Sequence, residues 1–437
     1  PSSAEANFDR LIYSSGSHSI DKIPANELPV LSRLLGRSAY LSEVLIQQGK
    51  KWPALFLEQI KIQRKSVDDH VRELKAVTTA ARSFDEFCAG LRRHKQREYL
   101  RIGARDLDPS VPMEETVREL TALAEASLES AYLYCRRETE QEFGCLKLPG
   151  TDRSNAFVVL GMGKLGGGEL NFSSDVDVIF LFENDEGEST GGPKGKAEPR
   201  AFFADIGKKI IQAMGKVTED GFVFRIDLRL RPLGVNGPLV QSVDSAMLYY
   251  ESWGQCWERA ALIKARPVAG DKNLGNRFLK EVEPFVYRRY LDYTTVEELR
   301  HMKMRIENEL LSSQGKERNI KLGYGGIREI EFFAQALQLV NGGYQPALRQ
   351  QNTLRALAEL AAHKFISAEE MNQLAEAYRF LRQVEHKVQM VQEAHAHSIP
   401  ESEEEEKALA RRRGYLPKDE RNEREQLWSG KNTHSEN

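Results

Sequence analysis

The sequence predicts a mostly helical chain, α+β in class, with one small mixed α/β domain set between helical regions. Three observations predict it. From about Asp21 to Gly150 the chain is highly charged and runs long stretches without Gly or Pro. From about Ser154 to Asp271 short apolar runs bounded by glycine appear, which is a buried-strand pattern. Beyond Asp271 apolar residues again step by three and four, as on a helix face. The expected division is a helical region over 1–150, a mixed domain over 151–271 and a helical region with a polar tail over 272–437. At about 150 residues per domain, 437 residues allow this.

In the first region, Arg93, Arg97, Arg101 and Arg105 fall every fourth residue and form one basic ridge. A solvated face paired with neighbouring acids is expected, with a phosphate or partner contact as the alternative. In the middle region, Ala156–Leu160 and Val176–Phe182 read as strands. The Gly/Pro/charged stretch 183–200 reads as an exposed loop, and Phe203, Ile206, Ile210, Ile211 and Met214 as one helical face. A third strand is expected over 222–231, with Phe222, Phe224, Ile226, Leu228 and Leu230 on one side. Met371, Leu374, Tyr378, Leu381, Val384, Val388 and Val391 form an amphipathic stripe read as core.

Composition narrows the function classes. Lys+Arg total 62 against 65 Asp+Glu, a net charge of −3, which argues against a dedicated nucleic-acid binder. No apolar run approaches the ~18 residues of a membrane span. The four cysteines form no CxxC pair and read as reduced thiols. The N-terminus has no basic-then-apolar leader pattern. A soluble, cytoplasmic protein is expected.

The chemistry concentrates in Gly161–Asp177, GMGKLGGGELNFSSDVD. Gly161-Met-Gly163-Lys-Leu-Gly166 matches a dinucleotide fingerprint, but that fingerprint must open a long helix, and here a strand starts near Val176. A phosphate-binding loop of the Walker type fails because Leu165, not Ser or Thr, follows Lys164. What remains is a glycine-rich turn, a Ser pair and Asp-x-Asp opening a strand. Asp175 and Asp177 face one side, and two carboxylates this close repel unless a cation joins them. Mg²⁺ or Mn²⁺ takes carboxylate oxygens and keeps water and phosphate as further ligands. Asp227, flanked by Arg225, Arg229 and Arg231, supplies a third carboxylate. The set reads as a two-metal phosphoryl-transfer site, with Lys164, Arg225 and Arg229 neutralising phosphate charge. In the competing reading Asp175 and Asp177 cap a turn and Asp227 pairs with an arginine.

Other candidates carry less. His395-x-His397, with His386 upstream, lacks an acidic or Cys partner at metal spacing, and exposed polar histidines are expected. Glu329 and Glu331 diverge on a helix, so they make no second metal pair; a helix-start role and a substrate role stand level.

GMGKLGGGELNFSSDVDVIF, FVFRIDLRLRPLGVNGPLV, PFVYRRYLDY and KLGYGGIREIEF, with the upstream LRRHKQREYLRIGARDL, resemble the glutamine synthetase adenylyltransferase/adenylyl-removing enzyme family. The resemblance runs from about residue 70 to 395. It implies a nucleotidyltransferase domain of the polymerase-beta-like kind. It also implies Asp175 and Asp177 as metal ligands, Asp227 as the third acid, and Gly166, Gly167 and Ser174 lining the phosphate site. That family has two related halves. ELNFSSDVD followed by GGIREIEF resembles the N-terminal, deadenylylating half, in which phosphate attacks adenylyl-tyrosine on glutamine synthetase and releases ADP. The other half transfers AMP from ATP, and PII signal protein and glutamine set the direction. Only one such motif is present, which implies a fragment or a single-half homologue. The expected activity is therefore Mg²⁺- or Mn²⁺-dependent phosphorolysis. ATP-dependent adenylylation, a PII-binding scaffold with an inert site and, more distantly, a dinucleotide oxidoreductase are the alternatives.

Overall fold

The computed structural model describes residues 3–108, 110–288, 318–392, 398–400 and 402–412, with positions 297, 300, 301 and 304. Seven helices come first: α1 (Ser3–Ser15), α2 (Leu28–Arg37), α3 (Ala39–Ile46), α4 (Trp52–Lys61), α5 (Val67–Ala80), α6 (Phe84–Asp106) and α7 (Met113–Phe143). Side chains fix the starts of two of them. The Ser66 hydroxyl and the Asp69 carboxylate form a reciprocal capping box on α5, and Ser83 caps α6.

The mixed region follows as β1 (Phe157–Gly161), α8 (Gly163–Gly167), β2 (Val176–Phe182), α9 (Pro199–Gly215), β3 (Ile226–Asp227), β4 (Gln241–Ser242), α10 (Val243–Trp253), α11 (Cys256–Ile263), β5 (Arg266–Gly270) and α12 (Lys272–Val286). The sheet order is β3-β2-β1-β5, with β4 also pairing β2. β1 runs antiparallel to β2 and β5, whereas β3 and β4 run parallel to opposite ends of β2. Four helices close the described chain: α13 (Ile327–Asn341), α14 (Thr353–Ala362), α15 (Ala368–Gln392) and α16 (Glu403–Arg412).

The sheet is apolar on both faces, as the continuous runs of β1 and β2 require. Phe157, Val159, Val176, Val178, Phe180 and Phe182 join one core with the N-terminal helices and α9. Val158, Leu160, Ile179 and Leu181 join a second with α10–α12. Tyr378, Leu381 and Val384 of the α15 stripe anchor a third core with α13 and α14. No helix among the described residues is long and apolar enough to cross a membrane. Cys88, Cys135 and Cys145 form no disulfide among the described residues.

Three expectations are corrected. The third strand is two residues long, not ten. The Asp227 carboxylate accepts the Arg229 backbone N–H at 2.8 Å, and the Arg231 N–H bonds to the Leu228 carbonyl. These local bonds turn the chain out of the sheet ladder. The arginine ridge is not one solvated face, because an every-fourth row drifts by about 40° per step on a helix. Arg93 and Arg97 are exposed, but Arg101 is buried between Glu98 and Glu119, each at 2.7 Å. His386 is buried rather than exposed, with Nε2 3.2 Å from Asp106 and its ring over Phe172. His395, His397 and most of the polar tail lie outside the described residues.

Candidate active site

Asp177 stands at the start of β2, in parallel register with Asp227 of β3. Asp175 precedes the strand by one residue. The three carboxylates share a cavity of about 230 Å³ with Gly163, Lys164, Ser174, Arg229 and, from later in the chain, Lys264, Lys321, Glu331, Gln335 and Gln389.

The glycine-rich turn shapes the floor of this cavity. The Met162 N–H bonds to the Asp177 carbonyl at 2.8 Å, locking the end of β1 to the acidic strand. Gly163 has φ +49°, and a Cβ there would come within 2.7 Å of Asp177 Oδ2, so glycine is required on both counts. Gly166 packs against backbone. Its Cβ would stand 1.9 Å from the Lys264 carbonyl oxygen and 2.5 Å from that of Gly161. Gly166 and Gly167 line a different cavity, of about 490 Å³, with Glu125 of α7, Gln351, Arg266 and Arg382. The structure therefore brings Lys164, Ser174, Asp175, Asp177, Asp227 and Arg229 together and leaves Gly166 and Gly167 behind the turn.

The three aspartates differ sharply in their partners. Arg225 Nε donates to Asp175 at 2.6 Å, and its Nη2 donates to the Ser173 carbonyl at 2.7 Å. It braces the acidic turn from outside the cavity. Arg229 Nε donates to Asp227 at 2.8 Å. Burial raises the Asp227 carboxyl, but the Arg229 bonds outweigh it and hold the group below its ordinary value. The Asp177 side chain accepts no hydrogen bond among the described residues. Burial pushes its carboxyl up to about 6, with the neighbouring Asp227 charge adding to the rise.

The cations divide in the same way. Lys164 Nζ donates to both oxygens of Glu385 on α15 at 2.8 Å, and burial lowers it to about 8 against the pull of that carboxylate. Lys264 bridges Glu169 and Glu331, each at 2.8 Å. Burial would lower it, but the two carboxylates outweigh that and raise it. Lys321 is half-buried, and its ammonium makes no hydrogen bond or ion pair among the described residues. Its charge opposes the rise at Asp177. Among the described residues, the Asp177 carboxylate and the Lys321 ammonium are thus the cavity's charged groups with no hydrogen-bond partner.

Sequence reasoning missed the C-terminal contribution. Glu329 and Glu331 do diverge: Glu329 takes the Gly325 N–H at 3.0 Å at the helix start, while Glu331 faces the cavity. Glu385, Arg382 and Gln389 flank the apolar stripe of α15 at polar positions, the one local hint of a second, polar job. Arg382 and Lys164 both reach Glu385, and Asn171 donates to it at 2.6 Å. The acidic turn is therefore pinned to α15.

Residues 28–281 match the family model of glutamate-ammonia ligase adenylyltransferase. The chain belongs to this family. Residues 289–437 match the model of GlnD PII-uridylyltransferase. Among curated relatives, the bifunctional glutamine synthetase adenylyltransferase/adenylyl-removing enzyme of Pseudomonas putida is 38% identical over 407 residues, 92% of this chain and 41% of that protein. The enzyme of the same name from Nitrosococcus oceani is 40% identical over 395 residues, 90% of this chain and 40% of its own. That from Pseudomonas aeruginosa is 40% identical over 371 residues, covering 84% and 38%. The chain spans about two fifths of the length of these relatives. The family's named activity, adenylyl transfer, is a nucleotidyl transfer.

Proposed function

We propose that this chain removes AMP from an adenylylated tyrosine of glutamine synthetase by phosphorolysis, releasing ADP and so regulating nitrogen assimilation in the cytoplasm. The observation that carries this reading is the cavity in which Asp177 and Asp227 stand in register beside Asp175, with Lys321 lining the same cavity. The motif wording of the acidic turn and of 325–331 supports the deadenylylating direction. PII signal protein is the proposed regulator.

The donor set fits a hard divalent ion, because it consists of half-buried, mutually repelling carboxylate oxygens. Asp175, Asp177 and Asp227 would hold Mg²⁺ or Mn²⁺. Bound there, the ion supplies Lewis-acid polarisation of phosphoryl oxygens. The chain's own residues do the rest. Lys321 and Arg229 attract inorganic phosphate and orient it. An oxygen of phosphate attacks the α-phosphorus of tyrosyl-AMP, the phosphorus–oxygen bond to tyrosine breaks, and ADP forms. The tyrosine phenolate takes its proton from water; with a pKa near 10 it leaves without a strong protein acid. Glu331, fixed by Lys264, and Glu385, fixed by Lys164, keep the cavity wall in place.

The test is the product. Adenylylated glutamine synthetase incubated with the chain and Mg²⁺ should yield ADP only when phosphate is present. AMP release without phosphate, or transfer of label from ATP onto unmodified glutamine synthetase without ADP release, would overturn the reading. PII binding with no turnover in either direction would make the chain a scaffold instead.

A further inference from the structure

A second set of metal-type donors lies in the N-terminal helices, away from the acidic cavity. His70 and Glu73 sit three apart on α5, and His94 and Glu98 four apart on α6, so each pair shares one helix face. The two faces meet closely because α6 carries Gly90 one turn before His94. A Cβ at Gly90 would stand 2.3 Å from Val77 of α5.

One donor atom from each of the four side chains lies within 4.8 Å of the other three. His94 Nε2 is 3.4 Å from His70 Nδ1, and His70 Nδ1 is 3.9 Å from Glu98 Oε2. A tetrahedral ion with bonds of about 2.0–2.1 Å separates its donors by about 3.4 Å, so closure requires only small side-chain rotations. The rings stand perpendicular, with centroids 5.5 Å apart, and are not stacked. His70, His94 and Glu98 are buried.

The surroundings meet two further requirements. Arg101 Nε donates to Glu98 Oε2 at 2.7 Å, the kind of outer contact that orients a ligating carboxylate. A groove of about 860 Å³ between α5 and α6, lined by Glu73, Val77, Gly90 and His94, provides an entry path.

We infer that His70, Glu73, His94 and Glu98 form a site for a zinc-class divalent ion that clamps α5 to α6. Two imidazoles with two carboxylates select Zn²⁺ or Co²⁺ over Mg²⁺, which separates this site in kind from the aspartate cavity. Lys65 is the competing cation. Its ammonium bridges Glu73 at 2.8 Å and Glu98 at 2.5 Å, and metal entry must move it off Glu98.

The full chain, stripped with chelator and held in excess Mg²⁺ to saturate carboxylate sites, is titrated with Co²⁺. One equivalent should give the strong visible absorption of four-coordinate cobalt, and Zn²⁺ should abolish it. His94→Phe should lose the band. Lys65→Met should tighten cobalt binding, whereas a purely structural Lys65–Glu98 pair would leave the protein destabilised with no rescue by cobalt. No visible band at millimolar Co²⁺, or an unchanged band in His94→Phe, overturns the site. Should His94→Phe fail to fold, Glu73→Gln at the exposed edge carries the same test. It must weaken cobalt binding by at least about tenfold, and unchanged binding overturns the inference.

Discussion

Asp177 and Asp227 occupy matching positions on adjacent parallel strands, yet only Asp227 has an arginine bonded to it. The pair is therefore asymmetric. One carboxylate is held ionised; the other is half-buried, accepts no hydrogen bond among the described residues and is pushed up to about 6. A protein that keeps such a group ready for a cation sacrifices stability for it.

Asp177→Asn separates those two roles. Phosphate-dependent ADP release should fall by at least about 10²-fold, the scale of losing one central electrostatic contact. Stability at pH 8 should rise by roughly 1–3 kcal/mol, because the half-buried charge is gone. A carboxyl raised on folding binds more protons in the native state, so the wild type loses stability as pH climbs from about 4 to 6. The variant's advantage should vanish below pH 4, where Asp177 is neutral in both states. Urea unfolding across that range checks the sign; a variant less stable than wild type at pH 8 would refute it.

The same group sets the acid side of the rate profile. At low Mg²⁺, activity should decline as pH drops through about 6. Raising Mg²⁺ should move that midpoint to lower pH, since a cation competes with the proton for Asp177. Initial rates at two Mg²⁺ levels measure the shift, and an immobile midpoint would detach Asp177 from metal binding.

Much of this site was legible, and the limit is one of sequence distance. Val176–Phe182 forms as read, because a run of β-branched and aromatic residues has only one place to go, inside a sheet. The alternation over 222–231 was equally clean. It misled because Asp227 spends its side chain on a local turn, a choice that alternation does not report. Lys321 and Glu331 approach Asp177 only through the packing of α13 against the mixed region, and no local pattern announces it. Glu385 was hidden by the α15 stripe, whose apolar positions drew attention from the polar flank.

Lys321→Ala tests the unmatched ammonium. One charge-assisted hydrogen bond contributes about 1.5–3 kcal/mol, so the KM for phosphate should rise roughly 10- to 100-fold. The change breaks no hydrogen bond or ion pair among the described residues, so the melting curve should move little. Steady-state kinetics against phosphate decide it. An unchanged KM would assign phosphate binding to Arg229 or to backbone amides.

Gly166 distinguishes packing from phosphate contact. The family resemblance implies a place in the phosphate site, but the would-be Cβ lies 1.9 Å from a backbone oxygen that has no rotamer to adopt. Gly166→Ala must shift the Lys264 backbone at the end of α11 or the turn itself, a cost at or above the usual overpacking range of about 1–3 kcal/mol. Gly168 has φ +71° and open space around its would-be Cβ. Gly168→Ala meets backbone strain alone, about 1–2 kcal/mol. Denaturant unfolding should therefore rank Gly166→Ala as the more destabilised. If Gly166→Ala instead kept its stability and raised only the KM for phosphate, the turn would hold phosphate directly, and the packing account of that glycine would be wrong.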